Sequence, residues 1–258
     1  MRRIGTIALH TFKEAVRYKV LYNLLVFALL MIGAAILFGQ ISLGIETIII
    51  INLGLSSISI FGLLMAIFIG IGLVYKEIER RTIYNILSKP VRRAEFILGK
   101  YLGLILTLLI NTAIMTLGFY LALFYQKGHL DGGDRNALVA IYFILLQLAL
   151  VVGVALFFSC ISTPVLSAVF TFCVYVIGFF LSDIRFLGQA TKNPAFEKLT
   201  TGIYYLLPNF SNFDVIARTA HGLEVSRNLV VFNSLYALLY VTVLVSAAIL
   251  IFEEREFR

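Results

Sequence analysis

The sequence predicts an all-α integral membrane protein with six transmembrane helices, and three observations predict this class. Of the 258 residues, 60% are hydrophobic and only 14% are charged, whereas soluble domains are about 45–50% apolar and about 25% charged. The mean hydropathy of +0.97 is far above that of chains that remain disordered. Long uncharged stretches recur along the chain, without the apolar–polar alternation of barrel strands.

The uncharged stretches locate the spans. Four of them contain 25 to 29 residues each, which suits one helix, since a hydrocarbon core of about 30 Å takes about 20 helical residues to cross. The stretch of 47 residues between Arg135 and Asp183 is divided by Ser162-Thr163-Pro164, a turn signal that predicts two helices. With their loops, the spans fill residues 1–258 as a single transmembrane domain. The predicted spans are residues 20–39, 48–74, 98–125, 137–160, 165–181 and 229–252.

The charged residues predict the orientation. With six spans both termini lie on one side, together with the loop between spans two and three. That side carries 14 of the 21 Lys and Arg residues but only 7 of the 14 Asp and Glu residues, so the whole net charge of +7 lies there. The positive-inside rule makes this side cytoplasmic. These cations flank membrane helices without interleaved aromatic residues, which argues against nucleic-acid binding.

An amphipathic helix precedes the first span, within residues 1–19. Ile4, Ala8 and Phe12 repeat on one face, while Arg3 and Lys13 lie on the other. This pattern predicts an elbow helix in the cytoplasmic interface. It serves either as a topology anchor or as an elbow packed against the bundle.

The cytoplasmic loop Tyr75–Glu95 predicts a short helix with an apolar strip, which Pro90 ends before a new helix begins near Arg92. A loop of this length with charges of both signs is either a solvated determinant of topology or a docking element for a cytoplasmic partner.

The external segment 182–228 is too apolar for a solvated loop. One short helix is predicted to end at Pro208, and a second to begin at Ser211, where Ser211–Asp214 has the capping-box pattern, and to end at Gly222. The two helices either anchor the chain in the outer leaflet or form a lid over the bundle. The residues expected in this external lid are Phe196, Tyr204, Tyr205, Phe210 and Phe213.

Apart from Lys100 at the start of the third, the spans contain neither acidic residues nor Lys, Arg or His, which argues against a proton-coupled carrier. No catalytic triad or zinc motif is visible, so an enzyme is not expected, and Cys160 and Cys173 give no metal-site spacing. We expect no catalytic residue, metal or cofactor in this chain. Asn52, Asn111 and Gln147 are polar residues within the spans that either form interhelical hydrogen bonds or line a translocation or subunit-interface surface.

These segments together resemble the permeases of type-2 ABC exporters across the whole chain. The external motif Leu207-Pro208-Asn209-Phe210, followed by Phe213-Asp214 and by His221-Gly222, also resembles the subgroup related to the copper-site-maturation permease of nitrous oxide reductase. Arg81 and Arg92 depart from the Gly and Ser that are usual at their positions. The matching features of the cytoplasmic loop are the acids Glu77 and Glu79, the motif Leu87-Ser88-Lys89-Pro90, Glu95 and Leu98-Gly99-Lys100.

The resemblance implies a transmembrane half-unit in a bacterial or archaeal plasma membrane, with both termini cytoplasmic. It implies that the permease pairs with a second copy of itself or with a close paralogue. Two cytoplasmic ABC ATPase subunits that bind ATP and Mg²⁺ complete the complex. The chain is expected to contact membrane lipids but not nucleic acid. The resemblance identifies the short helix of the loop Tyr75–Glu95 as a coupling helix, which contacts the ATPase. The residues that it places in the ATPase groove are Glu77, Glu79, Thr82, Ile83 and Leu87.

An exporter permease is the leading interpretation. One alternative is a membrane scaffold or assembly subunit of an ATPase-driven maturation or extraction complex that conducts no solute. Another is a passive channel or carrier without an ATPase. The uncharged interior tilts the expected cargo towards lipidic or amphipathic molecules.

Overall fold

The computed structural model describes residues 2–41, 44–79, 92–129, 134–191 and 193–254. For Arg2, residues 72–79 and Glu254 it describes the backbone only. The part of the predicted coupling helix that falls in residues 80–91 lies outside the described residues.

The described residues are almost entirely helical, and a 3-10 turn at Phe210–Phe213 precedes α9. The helices are α1 (Arg2–Val16), α2 (Lys19–Ile41), α3 (Glu46–Glu79), α4 (Arg93–Lys127), α5 (Arg135–Ile161), α6 (Pro164–Phe179), α7 (Leu181–Ala190), α8 (Pro194–Leu206), α9 (Ile216–Ala220) and α10 (Arg227–Glu254).

Five helices of the described chain, α2, α3, α4, α5 and α10, are long and apolar enough to cross a membrane. They coincide with five of the six predicted spans. The break at Ser162-Thr163-Pro164 also lies where the sequence predicts it, because α5 ends at Ile161 and Pro164 occupies the first position of α6.

The predicted fifth span, residues 165–181, is not a straight helix in the structure. α6 has 16 residues, about 24 Å at 1.5 Å per residue, and the chain bends by 57° before α7 continues. A sixth crossing therefore requires α6 and α7 together as one bent span.

The long helices form a bundle with α5 at its centre. In α5, 67% of the apolar stretch that would cross the membrane is buried. The buried share is only 22% in each of α2 and α10, at the periphery. The buried residues of α2 follow one face, at Leu21, Ala28, Ile32 and Ala35. The remaining face of α2, and most of α10, present leucines and other apolar side chains outwards, as expected where lipid replaces water as the solvent.

The external segment is helical in part as predicted. α8 matches the first predicted short helix; Pro194 starts it, and the Asn193 side chain accepts a hydrogen bond from the Ala195 N–H at 3.1 Å. Gly222 terminates α9 with a left-handed φ of +70°, the predicted glycine cap.

The predicted start of the second external helix at Ser211 is wrong. Residues Phe210–Phe213 form the 3-10 turn, and α9 begins only at Ile216. The Asn209 side chain accepts hydrogen bonds from the Ser211 N–H and hydroxyl at 3.1 and 2.7 Å. This Asx-type bonding engages Ser211 in a turn, so it does not serve as a helix cap. The sequence analysis also did not anticipate α7.

Candidate functional site

The residues that the sequence singles out fall in three regions: the bundle end next to residues 80–91, the long helices of the bundle, and the segment predicted to be external. At the first, α3 continues as a helix to Glu79, so Glu77 and Glu79 lie on its last turn rather than in a loop that starts at Tyr75. Thr82, Ile83 and Leu87 lie outside the described residues. Their docking role stays a prediction.

α4 begins at Arg93, close to the predicted position. The Glu95 carboxylate accepts a hydrogen bond from the backbone N–H of Arg92 at 3.2 Å, which is the glutamate half of a capping box. The helix after residues 80–91 therefore has a defined start although Arg92 replaces the usual capping serine.

The start of α4 packs directly on α1 through two glycines. A Cβ atom on Gly99 would lie 2.7 Å from Ile7 Cβ, and one on Gly103 would lie 2.6 Å from the Ala8 carbonyl oxygen. The pair is spaced four residues apart, which brings two helix backbones into contact. The structure identifies α1 as the helix that these two glycines approach.

A buried ion pair joins the same two helices. Lys100 is 1% exposed, and its Nζ lies 3.6 Å from Glu14 Oε2 and 5.8 Å from the Phe96 ring centroid. A lysine in such surroundings requires a counter-charge. From the sequence, Lys100 counts only as a cation at the cytoplasmic start of the third predicted span, because nothing local reveals its burial.

α4 is also joined to the end of α10. The Arg93 guanidinium donates hydrogen bonds to the carbonyl oxygens of Phe252 at 3.1 Å and Glu253 at 2.6 Å, where the carbonyls at a helix C-terminus attract a cation. The Phe96 and Phe252 rings stack at 5.7 Å. We call this junction of α1, α4 and α10 the coupling-end junction.

The three polar residues proposed for a translocation or interface surface do not come together. Asn111 donates to the Thr107 carbonyl of its own helix at 2.8 Å. Asn52 lines an open groove of about 450 Å³ with Phe38 and Leu53 between α2 and α3. Gln147 alone reaches the interior cavity.

That cavity has a volume of about 180 Å³ and lies between α3, α5, α6 and the residues around the 3-10 turn. Gln147 is 4% exposed, and its side-chain amide donates to the Tyr175 hydroxyl at 2.8 Å. Gln147 lies twelve residues after the start of α5, roughly 18 Å along its axis. The lining residues are Ser56, Ser59, Ile60, Ile144, Gln147, Tyr175, Phe179, Phe213, Asp214 and Ile216.

Residues 208–216, which we call the inserted segment, pack into the bundle instead of covering it. Phe210 and Phe213 are each 1% exposed, so two of the five predicted lid aromatics belong to the core. The Phe213 ring lies 6.4 Å from that of Phe143 and 6.2 Å from that of Tyr236. Gly178 has no side chain, which leaves room for the Phe210 ring.

Side chains of α10 form hydrogen bonds with two backbone groups of the irregular inserted segment. The Asn209 N–H donates to the Tyr236 hydroxyl at 2.8 Å, and the Asn233 amide donates to the Asn212 carbonyl at 2.7 Å. Non-helical backbone inside a membrane protein requires such protein partners.

The other three aromatic residues of the predicted lid lie on α8. Phe196 is 42% exposed and Tyr205 is 69% exposed. The Arg185 guanidinium of α7 lies 4.6 Å from the centre of the Tyr204 ring, within the range of a cation–π contact. α7 and α8 therefore form a helical pair, and whether this pair acts as a lid stays a prediction.

Asp214 lines the cavity, but the sequence assigns it only to the external motif that carries the subgroup resemblance. It belongs to a segment predicted to be external, yet it lines the cavity together with Gln147. The sequence feature that could have placed Asp214 at the bundle is the density of apolar residues around it. Three of these residues, Phe210, Phe213 and Val215, are buried in the structure. The spans lack acidic residues in the sequence, and the acidic residue of the cavity, Asp214, comes from the segment between the fifth and sixth predicted spans and is exposed.

The described residues include no group of three or more His, Cys, Asp or Glu side chains that could hold a metal ion. Cys160 is buried and Cys173 is exposed on the apolar surface of α6. The described part of the chain is thus a helical bundle with a closely packed end and a partly open polar cavity.

A comparison with protein-family models gives a match over residues 5–257 to the model described as ABC-2 family transporter protein. The comparison with curated proteins gives no match.

Proposed function

The chain belongs to the ABC-2 family of transporter proteins, and on this premise we propose that it is an exporter permease powered by ATP that separate subunits hydrolyse. Membership supports an integral membrane permease subunit of an ABC transporter, and such permeases generally work with ABC ATPase subunits. The proposal adds two cytoplasmic ATPase subunits that bind ATP and Mg²⁺, a second permease copy, and outward movement of the cargo.

The observation that carries the proposal is the coupling-end junction. The segment proposed to receive the ATPase lies between the end of α3 and the start of α4, and the first turns of α4 are joined to α1 and α10 by Gly99, Gly103 and Arg93. Close packing transmits displacement because protein interiors do not compress readily. A movement of the 80–91 segment would therefore shift α1, α4 and α10 together.

The charge distribution supports the proposed orientation. The lysines and arginines of the N-terminal helix, of residues 76–100 and of the C-terminus fall on the side proposed to be cytoplasmic. In this arrangement both termini and the ATPase face the cytoplasm of a bacterial or archaeal cell. The resemblance to the copper-site-maturation subgroup stays a prediction.

The cavity favours a transported or bound molecule over the scaffold alternative. A subunit that only holds other proteins together has no need of an interior polar space, whereas ligand sites in bundles lie between helices. ATP-dependent accumulation of a cargo inside vesicles of inverted orientation would support the exporter, and stimulated hydrolysis without accumulation of any cargo would support the scaffold.

The test of ATPase docking reverses the two acids at the end of α3. In the double variant Glu77→Lys/Glu79→Lys, we expect the ATPase no longer to co-purify and the permease-stimulated hydrolysis to fall at least tenfold. Each reversed charge would repel the partner group that the acid is proposed to contact. The matched control Glu197→Lys/Glu224→Lys makes the same charge change in the segment proposed to be external, and we expect it to retain both. Unchanged co-purification and hydrolysis in the first variant would contradict the proposal.

A further inference from the structure

We propose that the interior cavity is a binding site for an ammonium group, with Asp214 as its counter-charge. As an assignment of substrate class, this inference rests on the proposed transport function. The binding itself is a separate property of the permease chain.

The charge inside the cavity determines the sign of the ligand. Asp214 lines the cavity, and among the described lining residues none is basic. Asp214 is exposed, so its carboxylate is accessible to a ligand that enters the cavity. One Asp214 oxygen accepts the Ile216 N–H at 3.2 Å, and a carboxylate retains further acceptor positions for a cation.

The aromatic rings favour an organic cation over a hydrated metal ion. Tyr175, Phe179 and Phe213 share the cavity with Asp214, and the faces of aromatic rings attract ammonium groups, most strongly when these are desolvated. A small inorganic cation would instead require a shell of oxygen ligands, and the described residues show no cluster of three metal-binding side chains.

The remaining polar groups suit the N–H donors of an ammonium group. Ser56, Ser59 and Gln147 supply hydroxyl and amide oxygens around the same space. The Gln147 amide donates to the Tyr175 hydroxyl at 2.8 Å, which orients both side chains along one wall. Acceptors therefore come from α3 and α5, and the negative charge comes from the inserted segment.

The volume sets the size of the group. The cavity measures about 180 Å³, and a cavity on the order of 150 Å³ accepts a molecule the size of benzene. It can hold an ethanolamine-sized ammonium but not a whole lipid. The group can belong either to a free amine or to the headgroup of an amine-bearing lipid whose chains remain outside.

The test measures binding to the purified full chain in lipid nanodiscs, by the shift of the thermal unfolding midpoint. One arm titrates ethanolamine into nanodiscs of phosphatidylglycerol, and the other replaces part of that lipid with phosphatidylethanolamine. A saturable stabilisation in the first arm assigns a free amine, and stabilisation in the second arm alone assigns the lipid headgroup. The absence of stabilisation in both arms overturns the proposal.

The decisive variant is Asp214→Asn, which keeps a side-chain oxygen for the Ile216 N–H and removes the charge. We expect at least a tenfold loss of affinity. Asp183→Asn neutralises an exposed acid of α7 that does not line the cavity, and we expect unchanged affinity. Wild-type affinity in Asp214→Asn, an equal loss in both variants, or equal competition by sodium would overturn the proposal.

A second variant provides an independent test in case Asp214→Asn fails to fold. Ser56→Leu keeps every charge and fills the cavity from α3, and we expect it to weaken binding at least tenfold as well. Retained affinity in this variant would place the ligand elsewhere. If the wild-type chain binds the amine but no ATPase, the transporter proposal alone is refuted. If the wild-type chain binds the ATPase but no amine, this inference alone is refuted.

Discussion

The coupling-end junction and the inserted segment stabilise the two halves of the bundle in different ways. At the junction, glycines bring α1 and α4 into backbone contact, and Arg93 binds the carbonyls at the end of α10. Around the inserted segment, aromatic rings and single hydrogen bonds hold an irregular backbone beside a cavity of about 180 Å³. The bundle is therefore closely packed where an ATPase is proposed to dock, and it contains a cavity where a ligand is proposed to bind.

The largest effect is expected from removing the aromatic anchor of the inserted segment. Phe213→Ala should destabilise the protein by about 3 kcal/mol, because a large side chain leaves a buried site that cannot fully collapse. The control Phe186→Ala removes a ring that is 70% exposed and should cost little. Thermal unfolding in lipid measures both, and equal stability of the two variants would show that the inserted segment does not stabilise the bundle.

A smaller effect is expected at the coupling-end junction. Gly103→Ala should cost about 2 kcal/mol, since its Cβ would meet the backbone oxygen of Ala8 and overpacking typically costs about 1–3 kcal/mol. The same change at Gly33, where a Cβ meets nothing within 4 Å, should be neutral or stabilising, because alanine favours helix formation.

The Gly103 and Gly33 variants also test transmission. Unfolding midpoints and permease-stimulated ATP hydrolysis should both fall in Gly103→Ala and neither should fall in Gly33→Ala. If the two alanine variants behave alike, the contact between α1 and α4 is not the stiff element proposed here.

The smallest effect is expected from one hydrogen bond of the inserted segment. Tyr236→Phe removes the hydroxyl that accepts the Asn209 N–H and should cost about 1 kcal/mol, the usual contribution of a hydrogen bond to a buried group. Tyr125→Phe, at a side chain that is 71% exposed, is the matched control. A loss as large as that of Phe213→Ala would mean that polar contacts, rather than ring packing, hold the segment in place.

Sequence reasoning succeeded where the signal is local. Uncharged stretches located α2, α3, α4, α5 and α10, because a helix in lipid must be apolar along its whole length. Pro164 marked the start of α6, and Gly222 marked the end of α9, since each residue restricts or permits particular backbone angles. These features depend on neighbouring residues alone.

Sequence reasoning failed where distant segments meet. The same apolar richness that predicted an external lid also fits a segment that inserts into the bundle, and Phe210 and Phe213 are buried by partners from α5, α6 and α10. The turn at Phe210–Phe213 follows instead from local hydrogen bonds to the Asn209 side chain, which compete with the capping pattern at Ser211.

The sequence by itself determined that the chain is a helical membrane bundle, where most of its spans begin and end, and how its charges are distributed along the chain. Only the tertiary structure decided that Lys100 lies against Glu14 and that Asp214 shares a cavity with Gln147. The physical reason is that hydropathy acts on each segment separately, whereas the burial of a charge depends on which segments pack around it.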